Sequence, residues 1–309
     1  MDLDPERVRR ATTEIDPVFL HSPHFVDEQL CAELGRSVVV KPESLNPLHS
    51  FKGRGADFLV RERAGDETLV CSTAGNFGQA VAYAARARGR GAEIFAQPQI
   101  NPAKLARMRA LGADVVVTDD ASRAARERAE QCSGRVFVED GREPAVAEGA
   151  GTIAVELLAE HDCDTVVVPV GDGALINGMA CWIKAVAPAV RVIGVGARAA
   201  PGMERAWRTG ERIIGAPTGS IAEGITTRAP VPESVARMRA LVDDVVLVDD
   251  RDLLAAMRLA ARTVGVLLEP AAAAGLAALA VHDLPGAHVA TVLTGSNPRE
   301  ELLGELLAP

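Results

Sequence analysis

The chain has 309 residues, of which 48% are hydrophobic and 24% are charged, and its 42 acidic and 33 basic side chains give a formal net charge of −9. This length suits one large domain or two of medium size, and the high apolar content excludes a disordered chain. The acidic balance argues against nucleic acid as a partner, because such binding needs a concentration of basic residues on one face.

The apolar segments of the chain are short. The longest, residues 270–281, falls well below the roughly 20 residues that cross a bilayer. The N-terminal residues are acidic and contain no apolar run, so no secretory signal is expected. Five cysteines lie far apart without a C-x-x-C pair, which argues against a disulfide framework or a zinc site. We therefore expect a soluble, cytoplasmic protein with reduced thiols and no membrane partner.

Nine short runs rich in β-branched residues alternate with helix-like segments along the chain. They are residues 37–40, 68–71, 92–95, 113–117, 135–138, 165–168, 191–194, 245–248 and 288–292. Nearly continuous apolar strands of this kind are typical of parallel sheets that helices cover on both faces. The pattern predicts an α/β fold of the doubly wound type.

The grouping of these strands predicts two domains. Four consecutive strand and helix units between residues 68 and 138 can form a small sheet of their own. We therefore expect a small α/β domain, residues 66–144, inserted into a larger domain built from residues 1–65 and 145–309. Both domains are expected to be doubly wound, with mostly parallel sheets.

Three of the predicted strands end in small polar residues, at the edge where open α/β sheets bind ligands. The first continues through Ser72-Thr73-Ala74-Gly75-Asn76-Phe77 into a helix, and backbone amides in such a turn can hold a carboxylate. The second, Gly171-Asp172-Gly173-Ala174-Leu175, offers open amides that suit a phosphate. The third is Thr294-Gly295-Ser296-Asn297. Each turn taken alone is equally typical of an ordinary helix cap or tight turn.

Lysine is rare in this chain. Only four of the 33 basic residues are lysines, namely Lys41, Lys52, Lys104 and Lys184. Lys52 stands at the predicted start of a helix, where the helix dipole disfavours a cation. A nucleophilic amine needs a lowered pKa, and arginine cannot form a Schiff base. The pattern favours a reactive role for Lys52 over that of a solvated surface lysine.

These segments together resemble the fold type II pyridoxal-phosphate enzymes, which include serine/threonine dehydratases, serine racemases, threonine synthases and cysteine synthases. The resemblance extends from about Lys41 to Asn297, with the motifs in the family's order. Ser50-Phe51-Lys52-Gly53-Arg54-Gly55 is similar to the dehydratase signature S-F-K-x-R-G. The resemblance implies that Lys52 forms the Schiff base with pyridoxal 5′-phosphate, in a cleft between the two domains.

The resemblance also implies the other residues of the site. Asn76 would contact the ring oxygen of the cofactor, and Thr294 would contact its pyridine nitrogen. Ala222-Glu223-Gly224-Ile225 and Glu269-Pro270-Ala271 are similar to two further landmarks of the family. The implied cofactor-binding residues are Phe51, Lys52, Asn76, Gly171, Asp172, Gly173, Ala174, Leu175, Glu269 and Thr294. The implied substrate-binding residues are Ser72, Thr73, Ala74, Gly75, Asn76 and Phe77.

The activity implied by the resemblance is that of a lyase acting on L-threonine, L-serine or a similar β-hydroxy amino acid. Lys52 would remove the Cα proton and the β-hydroxyl would leave as water, so that the products are a 2-oxo acid and ammonia. Two alternatives stay open. One is β- or γ-replacement, as in cysteine and threonine synthases, which share Asn46-Pro47 with this chain. The other is a catalytically silent protein that keeps the fold. Family members are usually homodimers.

Three residues depart from the family's pattern. Ala74 stands where serine racemases have the serine that acts as a second base, which implies elimination without efficient racemisation. Phe77 replaces a histidine that is common in dehydratases, and Asp172 puts a carboxylate beside the expected phosphate. No metal site is predicted, because the only close pair of histidines, His21 and His24, is more typical of surface or capping residues.

Overall fold

A computed structural model of the protein describes residues 1–73, 75–216 and 219–307. The helices are α1 (Pro5–Glu14), α2 (Glu28–Leu34), α3 (Lys52–Glu62), α4 (Asn76–Ala87), α5 (Pro102–Ala110), α6 (Ala121–Gln131), α7 (Pro144–Glu160), α8 (Ala174–Val186), α9 (Gly202–Thr209), α10 (Pro232–Leu241), α11 (Asp250–Thr263), α12 (Ala274–Val281) and α13 (Glu300–Leu307). The strands are β1 (Phe25–Val26), β2 (Ser37–Pro42), β3 (Thr68–Ser72), β4 (Ala92–Ala96), β5 (Asp114–Val117), β6 (Arg135–Phe137), β7 (Thr165–Pro169), β8 (Arg191–Ala197), β9 (Asp244–Val248) and β10 (His288–Leu293).

The described strands form two sheets. The larger has the order β1-β2-β10-β7-β8-β9 and is parallel except for β1, which pairs antiparallel with β2. The smaller has the order β5-β4-β3-β6 and is parallel throughout. The predicted α/β class with mostly parallel sheets is confirmed, and all nine predicted strands are present. The sequence missed β1, because two residues are too few to show an alternating pattern.

The central strand β7 shows why its sequence is a continuous apolar run. Val166 and Val168 pack in a cluster with Ile176 of α8, whereas Val167 packs in a different cluster with Leu276 of α12. Successive side chains of a strand point to opposite faces, so helices on both faces bury every one of these valines. Full burial of such side chains contributes roughly 1.5–3 kcal/mol each.

The smaller sheet uses only strands between residues 68 and 137, which lie within the small domain predicted from the sequence. The helix α7 begins at Pro144, the C-terminal limit of the predicted small domain, and packs against α3 and α8. The limits of the predicted domains, residues 66–144 against 1–65 and 145–309, stay a prediction. Within the described residues, no helix is both long and apolar enough to cross a membrane.

The strand order of the larger sheet brings distant segments to one edge. Strand β10 lies between β2 and β7 and runs parallel to both, with Leu293 opposite Pro42 and Thr291 opposite Val167. The carboxyl ends of these three strands therefore lie side by side. Lys52 follows β2, Thr294 follows β10, and the glycine-rich turn follows β7, so three of the predicted site segments share this edge.

Candidate active site

Lys52 is the first residue of α3, as the sequence predicts. The backbone just before it is tied to the end of β10, because the Phe51 N–H donates to the carbonyl oxygen of Thr294 at 3.1 Å. Ser50 also forms a β-bridge with Gly295. These contacts hold the predicted Schiff-base lysine and the predicted pyridine-contact residue, Thr294, next to each other.

The Lys52 amine is paired with the carboxylate of Asp140, which follows β6. Its Nζ also lies 4.7 Å from the centre of the Phe51 ring and 6.0 Å from that of Phe77. The second carboxylate oxygen of Asp140 is buried and has no hydrogen-bond partner among the described residues. Sequence reasoning missed Asp140, although its position directly after a strand of the smaller sheet is a signal that could have found it.

The glycine-rich turn leads from β7 into α8. Gly173 is the N-cap of α8 with a φ of 89°, in the left-handed region that favours glycine, and no side chain caps the helix. A Cβ at Gly173 would collide with Ser234 Oγ, and one at Gly171 would collide with the carbonyl oxygen of Gly224. The first amides of α8 have no acceptor within the helix, so this turn is a cradle suited to a phosphate. Ala174 and Leu175 are the first two residues of that helix.

The carboxyl group of Asp172 lies in the same turn. Its Oδ1 accepts a hydrogen bond from Thr227 Oγ1 at 3.2 Å, and its backbone carbonyl accepts one from Ser234 Oγ at 2.6 Å. Burial, and after it the charge of Asp140, raise the pKa of Asp172 to about 6, while the Lys52 ammonium acts in the opposite direction. Asp172 therefore interacts electrostatically with both Lys52 and Asp140.

Asn76 and Glu269, both predicted from the resemblance, are in direct contact. Asn76 Nδ2 donates to Glu269 Oε1 at 2.6 Å, and Asn76 Oδ1 accepts from Asn297 Nδ2 at 3.0 Å. The other oxygen of Glu269 accepts a hydrogen bond from Lys104 Nζ at 3.0 Å. Lys104, on α5, also lies 3.9 Å from the carboxylate of Glu223. The sequence did not predict Lys104 as a site residue, although the rarity of lysine singled it out.

The predicted substrate loop runs from β3 into α4. Ser72 ends the strand, and the Thr73 N–H donates to the Phe95 carbonyl oxygen at 3.1 Å. Thr73 Oγ1 accepts a hydrogen bond from the Gly75 N–H at 3.0 Å. Ala74 lies outside the described residues. Helix α4 begins at Asn76 with no side-chain cap, so the amides of its first turn have no acceptor within the helix and suit a carboxylate.

A cluster of buried charges supports the start of α3. Arg54 Nη1 donates to Glu156 Oε1 at 2.6 Å, and Arg54 Nε donates to Glu43 Oε2 at 2.8 Å. Lys41 Nζ donates to Glu156 Oε2 at 2.7 Å and lies 3.9 Å from Glu43. Two positive and two negative groups therefore balance each other in the interior. This balance explains why the signature around Lys52 contains an arginine at position 54.

The sequence and the fold of this chain are similar to those of known proteins. A family model described as pyridoxal-phosphate dependent enzyme matches residues 21–295. The chain is 36% identical over 303 residues to L-threonine ammonia-lyase from Geobacter sulfurreducens, and the aligned region covers 94% of this chain and 72% of that protein. Among solved structures, a threonine deaminase from T.th. matches with a TM-score of 0.86 and 31% identity, over 94% of this chain and 97% of that one. Maize serine racemase matches with a TM-score of 0.88 and 26% identity, over 99% and 97%. The chain belongs to the family of pyridoxal-phosphate dependent enzymes.

Proposed function

We propose that the chain is an ammonia-lyase that converts L-threonine, L-serine or a similar β-hydroxy amino acid into a 2-oxo acid and ammonia. The observation that carries this proposal is the amine of Lys52, which stands at the start of α3 within the dehydratase signature, 4.7 Å from the centre of the Phe51 ring and 6.0 Å from that of Phe77. The relatives named L-threonine ammonia-lyase and threonine deaminase support the same reaction.

The residues at the edge of the larger sheet fit a bound pyridoxal phosphate. Gly171 and Gly173 let the turn pack closely against the Gly224 carbonyl oxygen and Ser234 Oγ, and the uncapped start of α8 suits the phosphate group. Lys52 would hold the aldehyde end, and the hydroxyl of Thr294 would contact the pyridine nitrogen. When bound, the cofactor supplies an electron sink for the electron pair left at Cα.

The chain's own residues would then bind the substrate and move its proton. The first-turn amides of α4 would bind the substrate carboxylate, which fixes the Cα hydrogen relative to Lys52. The Lys52 amine would remove that proton as a general base, and Asp140 would stabilise the resulting ammonium. Because Thr294 offers a neutral hydroxyl and no carboxylate, prompt loss of the β-hydroxyl as water is favoured over a long-lived negative charge at Cα.

The side chain of Phe77 gives the substrate pocket an apolar wall. Phe77 is buried and its ring centre lies 6.0 Å from Lys52 Nζ. An apolar surface at this distance suits a methyl group better than a second polar group. We therefore infer that L-threonine is a better substrate than L-serine. Burial of one methyl group is worth about 0.8 kcal/mol, so the expected preference in kcat/KM is about fourfold.

The first experiment tests the cofactor site. The protein purified with added pyridoxal phosphate is treated with borohydride and digested, and the labelled peptide is identified by mass spectrometry. The label is expected on Lys52 and is expected to be lost in Lys52→Ala, whereas the control Lys184→Ala keeps it. A label on another lysine, or a colourless protein that stays inert with the cofactor, would reject the proposal.

The second experiment tests the reaction. Amino acids are supplied one at a time, and the amounts of 2-oxo acid and ammonia released are measured. The lyase is expected to release the two products in equal amounts. Release from L-threonine or L-serine alone supports the lyase. Turnover that requires an added thiol or another nucleophile would instead support a replacement enzyme.

We further infer that the enzyme is a cytoplasmic homodimer. The resemblance to the family supports the dimer, and the cysteine usage supports the compartment. Light scattering on the eluting holoenzyme measures the mass of the assembly. A mass of one chain across the working concentration range would contradict the dimer.

A further inference from the structure

A cluster of three potential metal ligands lies where α7 ends, and none of them belongs to the candidate active site. His24 directly precedes β1, Glu160 is the last residue of α7, and His161 is its C-cap. One potential ligand atom from each of the three residues lies within 4.8 Å of the other two. His24 is close to His21 in the sequence. In the folded chain its ring instead contacts that of His161, at the C-terminal end of α7.

The two histidines carry polar atoms that nothing in the described structure satisfies. His24 Nδ1 and His161 Nε2 are both buried and lack a hydrogen-bond partner among the described residues. The imidazole rings meet edge to face, with 5.0 Å between their centres. Buried polar atoms are normally paired, so two such atoms in neighbouring rings indicate a missing partner.

Glu160 supplies a third ligand that can move into place. Its Oε1 lies 3.8 Å from His24 Nε2, and its side chain is 70% exposed, whereas that of His24 is 9% exposed. Ligand atoms about 2.1 Å from a tetrahedral zinc ion are roughly 3.4 Å apart. A metal ion takes one nitrogen of each imidazole ring, so for His24 to bind through its unpartnered Nδ1 the exposed Glu160 carboxylate would rotate from the Nε2 side of that ring to the Nδ1 side.

We propose that His24, Glu160 and His161 bind a divalent transition-metal ion, with water in the remaining position. Two imidazoles and one carboxylate are a ligand set that suits Zn²⁺ and its neighbours in the first transition row. The ion would join the segment before β1 to the end of α7. Glu156, one turn earlier on α7, accepts the hydrogen bonds of Lys41 and Arg54, so the site would also hold the helix that carries this cluster.

The experiment uses the cofactor-loaded protein, stripped of metal with a chelator and titrated with zinc sulfate in a calorimeter. One Zn²⁺ per chain is expected. His161→Ala and His24→Ala are each expected to weaken binding by more than about 100-fold, the upper range for loss of a mere supporting contact. The control His288→Ala removes an exposed histidine on β10 and is expected to bind as the wild type does.

A second measurement keeps the proposal testable if a variant of the buried His24 does not fold. Co²⁺ replaces Zn²⁺ in the wild type and in His161→Ala, and the visible absorption of tetrahedral Co²⁺ is recorded. The band is expected in the wild type and not in the variant. Absence of binding to the wild type would overturn the proposal. Zn²⁺ binding that both histidine variants retain would also overturn it, because groups other than these histidines would then be the ligands.

Discussion

Replacement of Glu156 by glutamine tests the cluster of buried charges at the start of α3, which consists of Lys41, Glu43, Arg54 and Glu156. Glu156 accepts hydrogen bonds from Lys41 Nζ at 2.7 Å, from Arg54 at 2.6 and 2.9 Å, and from the His21 N–H at 2.9 Å. Glutamine keeps the shape of the side chain but removes its charge. Glu43 would then be the one remaining anion of the cluster for two buried cations.

The size of the effect follows from the pKa of Glu156. Burial by itself raises this pKa, but the hydrogen bonds and charges of Arg54 and Lys41 lower it from 4.5 to about 2. A carboxyl group whose pKa falls by this amount on folding contributes about 3 kcal/mol to the free energy of unfolding at pH 7. Removal of one partner from a buried ion pair independently gives about 3–5 kcal/mol. We therefore expect Glu156→Gln to lower the free energy of unfolding by about 3 kcal/mol.

The same pKa sets the pH dependence. Because the pKa in the folded protein lies below that in the unfolded chain, the stabilisation is complete well above pH 4.5 and is lost as the pH falls toward 2. The difference in the free energy of unfolding between wild type and Glu156→Gln is therefore expected to narrow by about 1 kcal/mol between pH 7 and pH 4.

Urea unfolding of the holoenzyme, followed by circular dichroism in the presence of a chelator, measures both effects. Glu160→Gln is a matched control on the same helix, because Glu160 is exposed, and we expect it to change the free energy of unfolding by less than about 0.5 kcal/mol. The reasoning is refuted if Glu156→Gln is no less stable than this control, or if its deficit stays constant down to pH 4.

Three further predictions concern the candidate site. Lys104→Met removes the 3.0 Å hydrogen bond to Glu269. Because hydrogen bonds to charged groups are worth about 1.5–3 kcal/mol, we expect kcat/KM to fall at least about tenfold. Unchanged steady-state kinetics would contradict a role for this hydrogen bond in the activity. Gly173→Ala puts a Cβ against Ser234 Oγ at a left-handed φ, which causes a strain of about 1–3 kcal/mol. Titration with the cofactor should therefore show an affinity weakened about tenfold or more. An affinity equal to that of the wild type would exclude the proposed cradle. Ala74→Ser should raise the interconversion of L- and D-serine, measured by chiral chromatography; rapid interconversion by the wild type would refute the prediction that Ala74 prevents it.

Much of the architecture could be predicted from the sequence. The nine strands of the prediction all exist, because strands buried on both faces must be apolar along their whole length, and such runs are visible without a structure. Gly173 could be predicted as part of a tight turn because its backbone conformation disfavours any other residue. Lys52 could be singled out because a lysine at a helix start opposes the helix dipole.

The partners of these residues could not be predicted in the same way. Asp140 is 88 residues from Lys52, and Lys104 is 165 residues from Glu269, yet each pair is in contact. Periodic patterns report on neighbours a few positions apart, whereas an ion pair depends on distance in space. The histidine pair shows the same limit, since the sequence placed His24 beside His21.

The four lysines separate what the sequence by itself determined from what the tertiary structure decided. The sequence determined the fold class and the strand ends and singled out Lys52, because these follow from local composition and helix electrostatics. Only the tertiary structure decided that Lys41 lies in a buried charge cluster, that Lys104 contacts Glu269, and that Lys184 pairs with Asp243. The physical reason is that packing of the two sheets and their helices, rather than position in the chain, determines which charges approach closely enough to interact.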